Sequence, residues 1–179
     1  MKDSKRQFLR EVLIGNSIHS ALQHSGVYRS AANAQARAAF RRTMRISLRR
    51  LVSGYTKNVS DRQHITNIRR FVDAASRQHA STLKRRLRFG IAQKAVNVYL
   101  KLLWCAGEIP MPPHCPLDRI IIGRLPRAVR TAWTVMDEGD YVLLIGAART
   151  VAGATPLAEW ELREFGARPI YAPDSDGGD

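Results

Sequence analysis

The chain has 179 residues, of which 45% are hydrophobic, and a formal net charge of +14, a length and composition typical of one compact domain rather than of a disordered chain. No apolar run approaches the roughly 20 residues that span a bilayer, and the charged start Met1–Arg6 predicts no signal peptide. With Cys105 and Cys115 as the two cysteines, the composition excludes a disulfide framework and a cysteine-rich metal site, and it favours a cytoplasmic protein with reduced thiols.

The charge is unevenly distributed along the chain. Residues 1–130 contain 26 Lys and Arg against 6 Asp and Glu, whereas residues 131–179 contain 3 against 9. A polyanion is the simplest partner for the basic part, because cations that neutralise phosphates release condensed counterions. We therefore predict a helical domain over residues 1–170, basic over 1–130 and acidic over 131–170, followed by a disordered acidic tail over 171–179. The predicted partner is DNA, with RNA as the alternative.

The first half of the chain has the apolar periodicity of helices. Residues 5–24 predict an amphipathic helix, and residues 30–53 predict a second helix whose polar side is rich in arginine. Ser60 is typical of an N-cap and predicts a third helix after it. A further helix is predicted over residues 76–87.

The second half begins with the most apolar segment. Residues 95–105 are apolar nearly all round and predict a central buried helix, which the proline-rich connector 110–116 ends. Asp118 is a candidate N-cap for the next helix, and Thr155 for the last one. Residues 133–147 are compatible with either helix or strand. The fold class predicted from these elements is all-α, a single compact helical domain.

Lys94 stands directly before the predicted buried helix. Burial and the positive end of a helix both disfavour an ammonium ion, so both predict a lowered pKa for this side chain. Nearby Arg85, Arg86 and Arg88 would lower the pKa further if they lie close. A neutral amine is what Schiff-base chemistry requires. The alternative is that Lys94 only binds a phosphate.

Two segments together resemble the core of the helix-hairpin-helix DNA glycosylase superfamily: Gly90-Ile91-Ala92-Gln93-Lys94-Ala95-Val96-Asn97 and Pro116-Leu117-Asp118. In that family a hairpin with a Gly-apolar-Gly turn leads into a helix with a nucleophilic lysine, and a catalytic aspartate opens the next helix. Gly90, Lys94, Asn97 and Asp118 match these positions. Ala92 departs from the pattern, since it replaces the second turn glycine, and the 24-residue separation of Lys94 and Asp118 is somewhat long for the family.

The resemblance implies a helix-hairpin-helix-like element and a glycosylase or glycosylase/AP lyase that acts on a flipped-out, damaged or modified nucleotide. Lys94 would attack the sugar C1′, and Asp118 would stabilise the positive charge that develops on the sugar. No cofactor and no metal is expected. The candidate nucleic-acid-binding residues are Arg85, Arg86, Arg88, Gly90, Ala92, Gln93, Asn97, His114 and Arg119.

Three other functions remain open at this point. The first is a non-enzymatic basic protein, such as a regulator or accessory factor, that binds nucleic acid without a product. The second is a helical RNase or toxin-like enzyme, although no Arg-His motif stands at catalytic spacing. The third is a protein-interaction module whose basic face binds an acidic partner.

Overall fold

The computed structural model describes the backbone of residues 2–166 and the side chains of residues 4–166. Within these residues the chain forms seven α-helices and no β-strand, in a single compact domain, so the predicted all-α fold is confirmed. The helices are α1 (Lys2–Leu22), α2 (Ala34–Val52), α3 (Asp61–Arg77), α4 (Phe89–Cys105), α5 (Arg119–Arg124), α6 (Glu138–Ala152) and α7 (Leu157–Gly166). The predicted acidic tail, residues 171–179, lies outside the described residues.

Helix α4 is the centre of the core, as its apolar sequence predicts. Its side chains Ala95, Val96, Leu100 and Leu103 are completely buried. Helices α1, α2, α3 and α6 all pack against it, and α7 packs against α5 and α6. A helix surrounded on several sides must be apolar on several sides, because each neighbour removes a different part of its surface from water.

Capping side chains set the starts of several helices. Ser60 accepts a hydrogen bond from the amide of Gln63 and caps α3, as predicted. Asp137 and Asp140 form a reciprocal capping box at the start of α6. The sequence was compatible with helix or strand over residues 133–147, and the structure has a helix there from Glu138 onward.

The helix predicted over residues 76–87 is wrong. Helix α3 ends at Arg77, and the chain then runs as a loop to Phe89. The loop pairs with a distant segment, since the amide of Arg29 donates to the carbonyl of Thr82 and the amide of Lys84 donates to the carbonyl of Val27, both at 3.0 Å. These backbone bonds replace those of a helix, so tertiary pairing overrides local helix propensity.

Within the described residues no single helix is long and apolar enough to cross a membrane. Helices α6 and α7 meet such a criterion only when they are taken together, and the chain bends by 75° between them. Both helices contribute buried side chains to the core, Tyr141 and Leu144 from α6 and Leu157 and Trp160 from α7.

Candidate functional site

Lys94 lies in the second turn of α4, because the helix begins six residues earlier than predicted, at Phe89. Its ammonium nitrogen is 4.2 Å from the centroid of the Trp133 indole, a cation–π contact. Burial lowers the pKa of Lys94, and the Asp118 carboxylate partly opposes this effect. The predicted direction of the pKa shift is confirmed, and so is burial as one of its predicted causes.

Asp118 is the N-cap of α5, as predicted. Its Oδ1 accepts hydrogen bonds from the amides of Ile120 at 2.9 Å and Ile121 at 3.1 Å. In the described part of the chain, Oδ2 has no hydrogen-bond partner, and the side chain is only half-buried. One oxygen therefore fixes the orientation of the carboxylate while the other stays free for a ligand.

Gln93 brings Lys94 and Asp118 into the same region of the molecule. Its Nε2 donates to the carbonyl of Leu117 at 2.7 Å, and its Oε1 accepts from the amide of Leu117 at 3.1 Å. Gln93 directly precedes Lys94 and Leu117 directly precedes Asp118, so this two-point contact, the Gln93 clamp, joins the two candidate catalytic residues through their neighbours. The carboxylate affects the pKa of Lys94 through space, and no direct ion pair between them is present among the described residues.

The structure places several predicted nucleic-acid-binding residues inside the core. Gln93 and Asn97 are completely buried, His114 is 1% exposed, and Gly90 and Ala92 are also buried. Buried side chains cannot contact a nucleic acid, so direct binding by these five residues is corrected to a structural role. The sequence does not distinguish an Asn or Gln that contacts a ligand from one that bonds to a neighbouring loop, because both stand as single polar residues in an apolar helix.

The predicted hairpin turn at Gly90–Ala92 is wrong, because these residues form the first turn of α4. The amide of Gly90 donates to the carbonyl of Met136 at 3.0 Å and that of Ala92 to the carbonyl of Arg88 at 3.1 Å, so neither is free for a phosphate. A Cβ atom at Gly90 would lie 1.8 Å from the carbonyl oxygen of Trp133. Glycine is needed here for the close approach of another segment and not for a turn.

We expect Gly90→Ala to destabilise the protein by about 1–3 kcal/mol or more, because the new methyl group overlaps the backbone of Trp133 and must displace it. Chemical unfolding followed by tryptophan fluorescence measures the change. Gly146→Ala in α6 is the matched control: a Cβ atom there meets nothing within 4 Å, so the control should be unchanged or more stable by up to about 1 kcal/mol. Equal stabilities of the two variants would contradict the packing role of Gly90.

The four arginines that are predicted to bind nucleic acid have different surroundings. Arg86 forms an ion pair with Asp73, and Arg88 donates to the carbonyl of Thr134 at 2.7 Å, which fastens the segment that covers Lys94. Arg85 and Arg119 are exposed, and neither has an acidic partner among the described residues. Arg119 directly follows Asp118, so it is the exposed cation nearest in sequence to the candidate carboxylate.

A buried polar network that the sequence did not reveal lies behind the Gln93 clamp. His114 Nδ1 and the Tyr141 hydroxyl are joined by a hydrogen bond of 2.8 Å, and His114 Nε2 lies 3.2 Å from Oδ1 of Asp61. Arg149 donates two hydrogen bonds to the same carboxylate, at 2.6 and 2.7 Å. Asn97 connects this network to the clamp, since its Nδ2 lies within hydrogen-bond distance of the Tyr141 hydroxyl.

His64 forms the second half of the network. Its Nδ1 and the Tyr55 hydroxyl are joined by a hydrogen bond of 2.7 Å, and its ring centroid is 4.6 Å from that of His114. Burial lowers the pKa of His64 to about 3 and that of His114 to about 4, so both rings are neutral at pH 7. The two histidines are 50 positions apart in the sequence, which is why only the fold reveals that they are paired.

Lys101 extends the polar stripe of α4 that begins with Lys94 and Asn97. Its Nζ lies 2.8 Å from Oε1 of Glu161 on α7, and both side chains are largely buried. Burial is also the main cause of the raised pKa of Glu161. A buried pair of this kind loses stability when one partner is removed, because the other charge is left uncompensated.

No protein-family model, curated protein sequence or solved structure matches the chain. Three features of the site bear on function: an amine of lowered pKa, a carboxylate that acts on that pKa through space, and a basic surface.

Proposed function

We propose that the protein is a DNA glycosylase, with or without AP lyase activity, that uses Lys94 as its nucleophile. The main support is the combination of a half-buried Lys94 of lowered pKa and a half-buried Asp118 whose second oxygen has no hydrogen-bond partner among the described residues. A perturbed pKa beside a specific charged partner is typical of functional sites. The resemblance of the two segments to helix-hairpin-helix glycosylases adds the substrate class.

The reaction begins with the neutral form of the Lys94 amine. Its nitrogen forms a bond to the sugar C1′ while the bond from C1′ to the base nitrogen breaks, and the base leaves with the electron pair and takes up a proton. The nitrogen then loses a proton, and the sugar ring opens as its oxygen leaves C1′ and is protonated, which yields a Schiff base between Lys94 and C1′. Elimination of the 3′ phosphate from this intermediate would be the lyase step.

Asp118 has two roles in this proposal. Its negative charge stabilises the positive charge that develops on the sugar while the base leaves. The free oxygen also accepts the proton that the Lys94 nitrogen loses after it has bonded to C1′. The capping bonds to α5 keep the carboxylate in one orientation, so little reorganisation is needed during the reaction.

Reduction with borohydride tests the covalent intermediate, because it converts the Schiff base into a stable amine that links protein and DNA. We expect a crosslinked product on at least one duplex from a panel of damaged or modified bases. Lys94→Arg should abolish the product, since arginine keeps the positive charge but is not neutral at any accessible pH. Lys57→Ala, which removes an exposed lysine outside the two segments that carry the resemblance, should retain it. Absence of a crosslink on every duplex, or an undiminished crosslink with Lys94→Arg, would refute the proposal.

A second candidate function is binding of nucleic acid without catalysis. It is favoured by the first turn of α4, because Gly90 and Ala92 belong to a helix there and do not form the hairpin of the glycosylase family that the sequence resembles. This candidate predicts salt-sensitive binding of intact duplexes and neither base release nor crosslinking in the assay above.

A further inference from the structure

A basic groove lies between α1 and α2. Its volume is about 570 Å³, and it is lined by His19 of α1, by Gln23 just after α1, and by Arg41, Arg42 and Arg45 of α2. Arg41 and Arg42 are exposed and have no acidic partner among the described residues. The groove thus combines polar hydrogen-bonding groups with uncompensated positive charge, as a site for phosphates would.

A second basic cavity lies beside the loop that precedes α4. It has a volume of about 240 Å³ and is lined by Lys84, Arg85, Arg86 and Arg88 together with the segment 25–27. Lys84 and Arg85 are exposed and, within the described chain, form no ion pair. Arg86 is the exception, since Asp73 neutralises it.

One loop separates the two cavities. Leu22, Gln23 and Tyr28 line the groove between α1 and α2, whereas the intervening residues 25–27 line the second cavity. Backbone hydrogen bonds between this loop and the loop 82–84 hold the two walls together. The basic cavities are therefore neighbours on either side of this loop, although their cations come from residues 41–45 and 84–88.

Arg88 connects the second cavity to a third one. The third cavity has a volume of about 420 Å³, and its lining includes Val135, Met136 and the acidic start of α6, where Glu138 pairs with Arg69. Val135 and Met136 belong to the segment that begins with Trp133, over whose ring the Lys94 ammonium lies. Successive cavities thus extend from the arginines of α2, past the loop before α4, to Val135 and Met136, which follow the Trp133 that covers the candidate nucleophile.

We propose that these cavities form one binding path for the sugar-phosphate backbone of duplex DNA, which runs from the groove between α1 and α2 to Lys94. The exposed cations Arg41, Arg42, Lys84 and Arg85 are the phosphate contacts of this path. That the path ends at Lys94 rests on the proposed function. That these cations bind DNA does not, because binding can be measured without catalysis. Phosphate contacts position a duplex without reading its sequence, so the path binds damaged and intact DNA alike.

The test uses two double variants, Arg41→Gln with Arg42→Gln and Lys84→Gln with Arg85→Gln. The matched control is Arg62→Gln with Arg127→Gln, which removes the same charge from two exposed arginines outside these cavities. Fluorescence anisotropy with an intact duplex is measured over a series of salt concentrations. Each path variant should bind about tenfold more weakly, with the slope of log K against log salt reduced by about 1 for each lost contact. The control should change affinity by less than about twofold.

Failure of the binding path can be distinguished from failure of the proposed catalysis. For this purpose the same binding measurements are made in a Lys94→Ala background, which has no nucleophile. Weakened binding by the path variants in both backgrounds supports the path even if no crosslink forms with any duplex. Equal losses in path and control variants, or no loss in either, overturn the path even if Lys94 forms a crosslink. Binding of polyglutamate or single-stranded RNA with the same dependence on these cations, and no binding of duplex DNA, also overturns it.

Discussion

Asp118→Asn is expected to fold normally and to release base about two to four orders of magnitude more slowly than the wild type, the usual range for loss of a positioned acid-base group. Asparagine is as good an N-cap as aspartate, and its side-chain oxygen accepts the same bonds from Ile120 and Ile121. The substitution therefore removes the charge while it preserves the start of α5. Single-turnover base release, measured on the duplex that gives the strongest crosslink, provides the rate.

Asp137→Asn is the matched control for this change. Asp137 is likewise an N-cap, it accepts from the amide of Asp140 at 2.9 Å, and it is exposed at the start of α6. The same atoms are exchanged at the same kind of helix position, so the control should retain the wild-type rate and stability. If both variants lose activity equally, or if Asp118→Asn unfolds, Asp118 is a structural cap and has no catalytic role.

A second measurement reports on Asp118 without any DNA. Its carboxylate raises the pKa of Lys94 against the larger opposite effect of burial. Removal of the charge in Asp118→Asn should therefore lower the pKa of Lys94 further, whereas Asp137→Asn should leave it unchanged. NMR titration of isotope-labelled lysine, assigned by loss of the signal in Lys94→Arg, measures this pKa. An unchanged value in Asp118→Asn would show that the two groups do not interact.

The free energy of unfolding is expected to fall steeply as the pH is lowered from about 6.5 toward 4. His64 and His114 have an ordinary pKa of 6.5, which burial lowers to about 3 and about 4 in the folded protein. In this window the unfolded chain binds protons that the folded protein cannot, so acid favours unfolding. Each histidine contributes a slope of up to about 1.4 kcal/mol per pH unit, and stability is retained fully above pH 6.5.

Other ionisable groups modify this dependence in known directions. Burial also lowers the pKa of His79, which therefore adds to the loss of stability below pH 6.5. Glu161 acts in the opposite direction, because burial raises its pKa from 4.5 and the folded protein holds its proton more tightly above that pH. Arg149 lowers the pKa of Asp61 below 3.8, so the stability that this carboxylate contributes is lost only at still lower pH.

Denaturant unfolding at a series of pH values between 7 and 4 measures the slope. His114→Gln should flatten it by up to one proton, whereas His19→Gln, which replaces an exposed histidine on α1, should leave it unchanged. His64→Gln provides an independent variant in case one of the two fails to fold. A wild-type slope near zero in this window would mean that the two rings are not buried in neutral form.

The sequence alone determined the features that depend on neighbours within a few residues. The apolar periodicity located most of the helices, Ser60 and Asp118 were identified as caps, and the continuous apolar character of α4 indicated its central position. The lowered pKa of Lys94 was also predicted in direction. These signals are readable because capping bonds and helical faces join residues that are close in the chain.

Tertiary contacts decided the rest. Residues 78–88 form a loop and not the predicted helix, because their backbone forms hydrogen bonds with residues 27–29. Residues 90–92 form the first turn of α4 and not a hairpin turn, and Gly90 packs there against Trp133. The Gln93 clamp and the pairing of His64 with His114 join residues 24 and 50 positions apart. Such contacts depend on which buried polar groups meet once the helices have packed, because a buried polar group must find a partner wherever the fold supplies one.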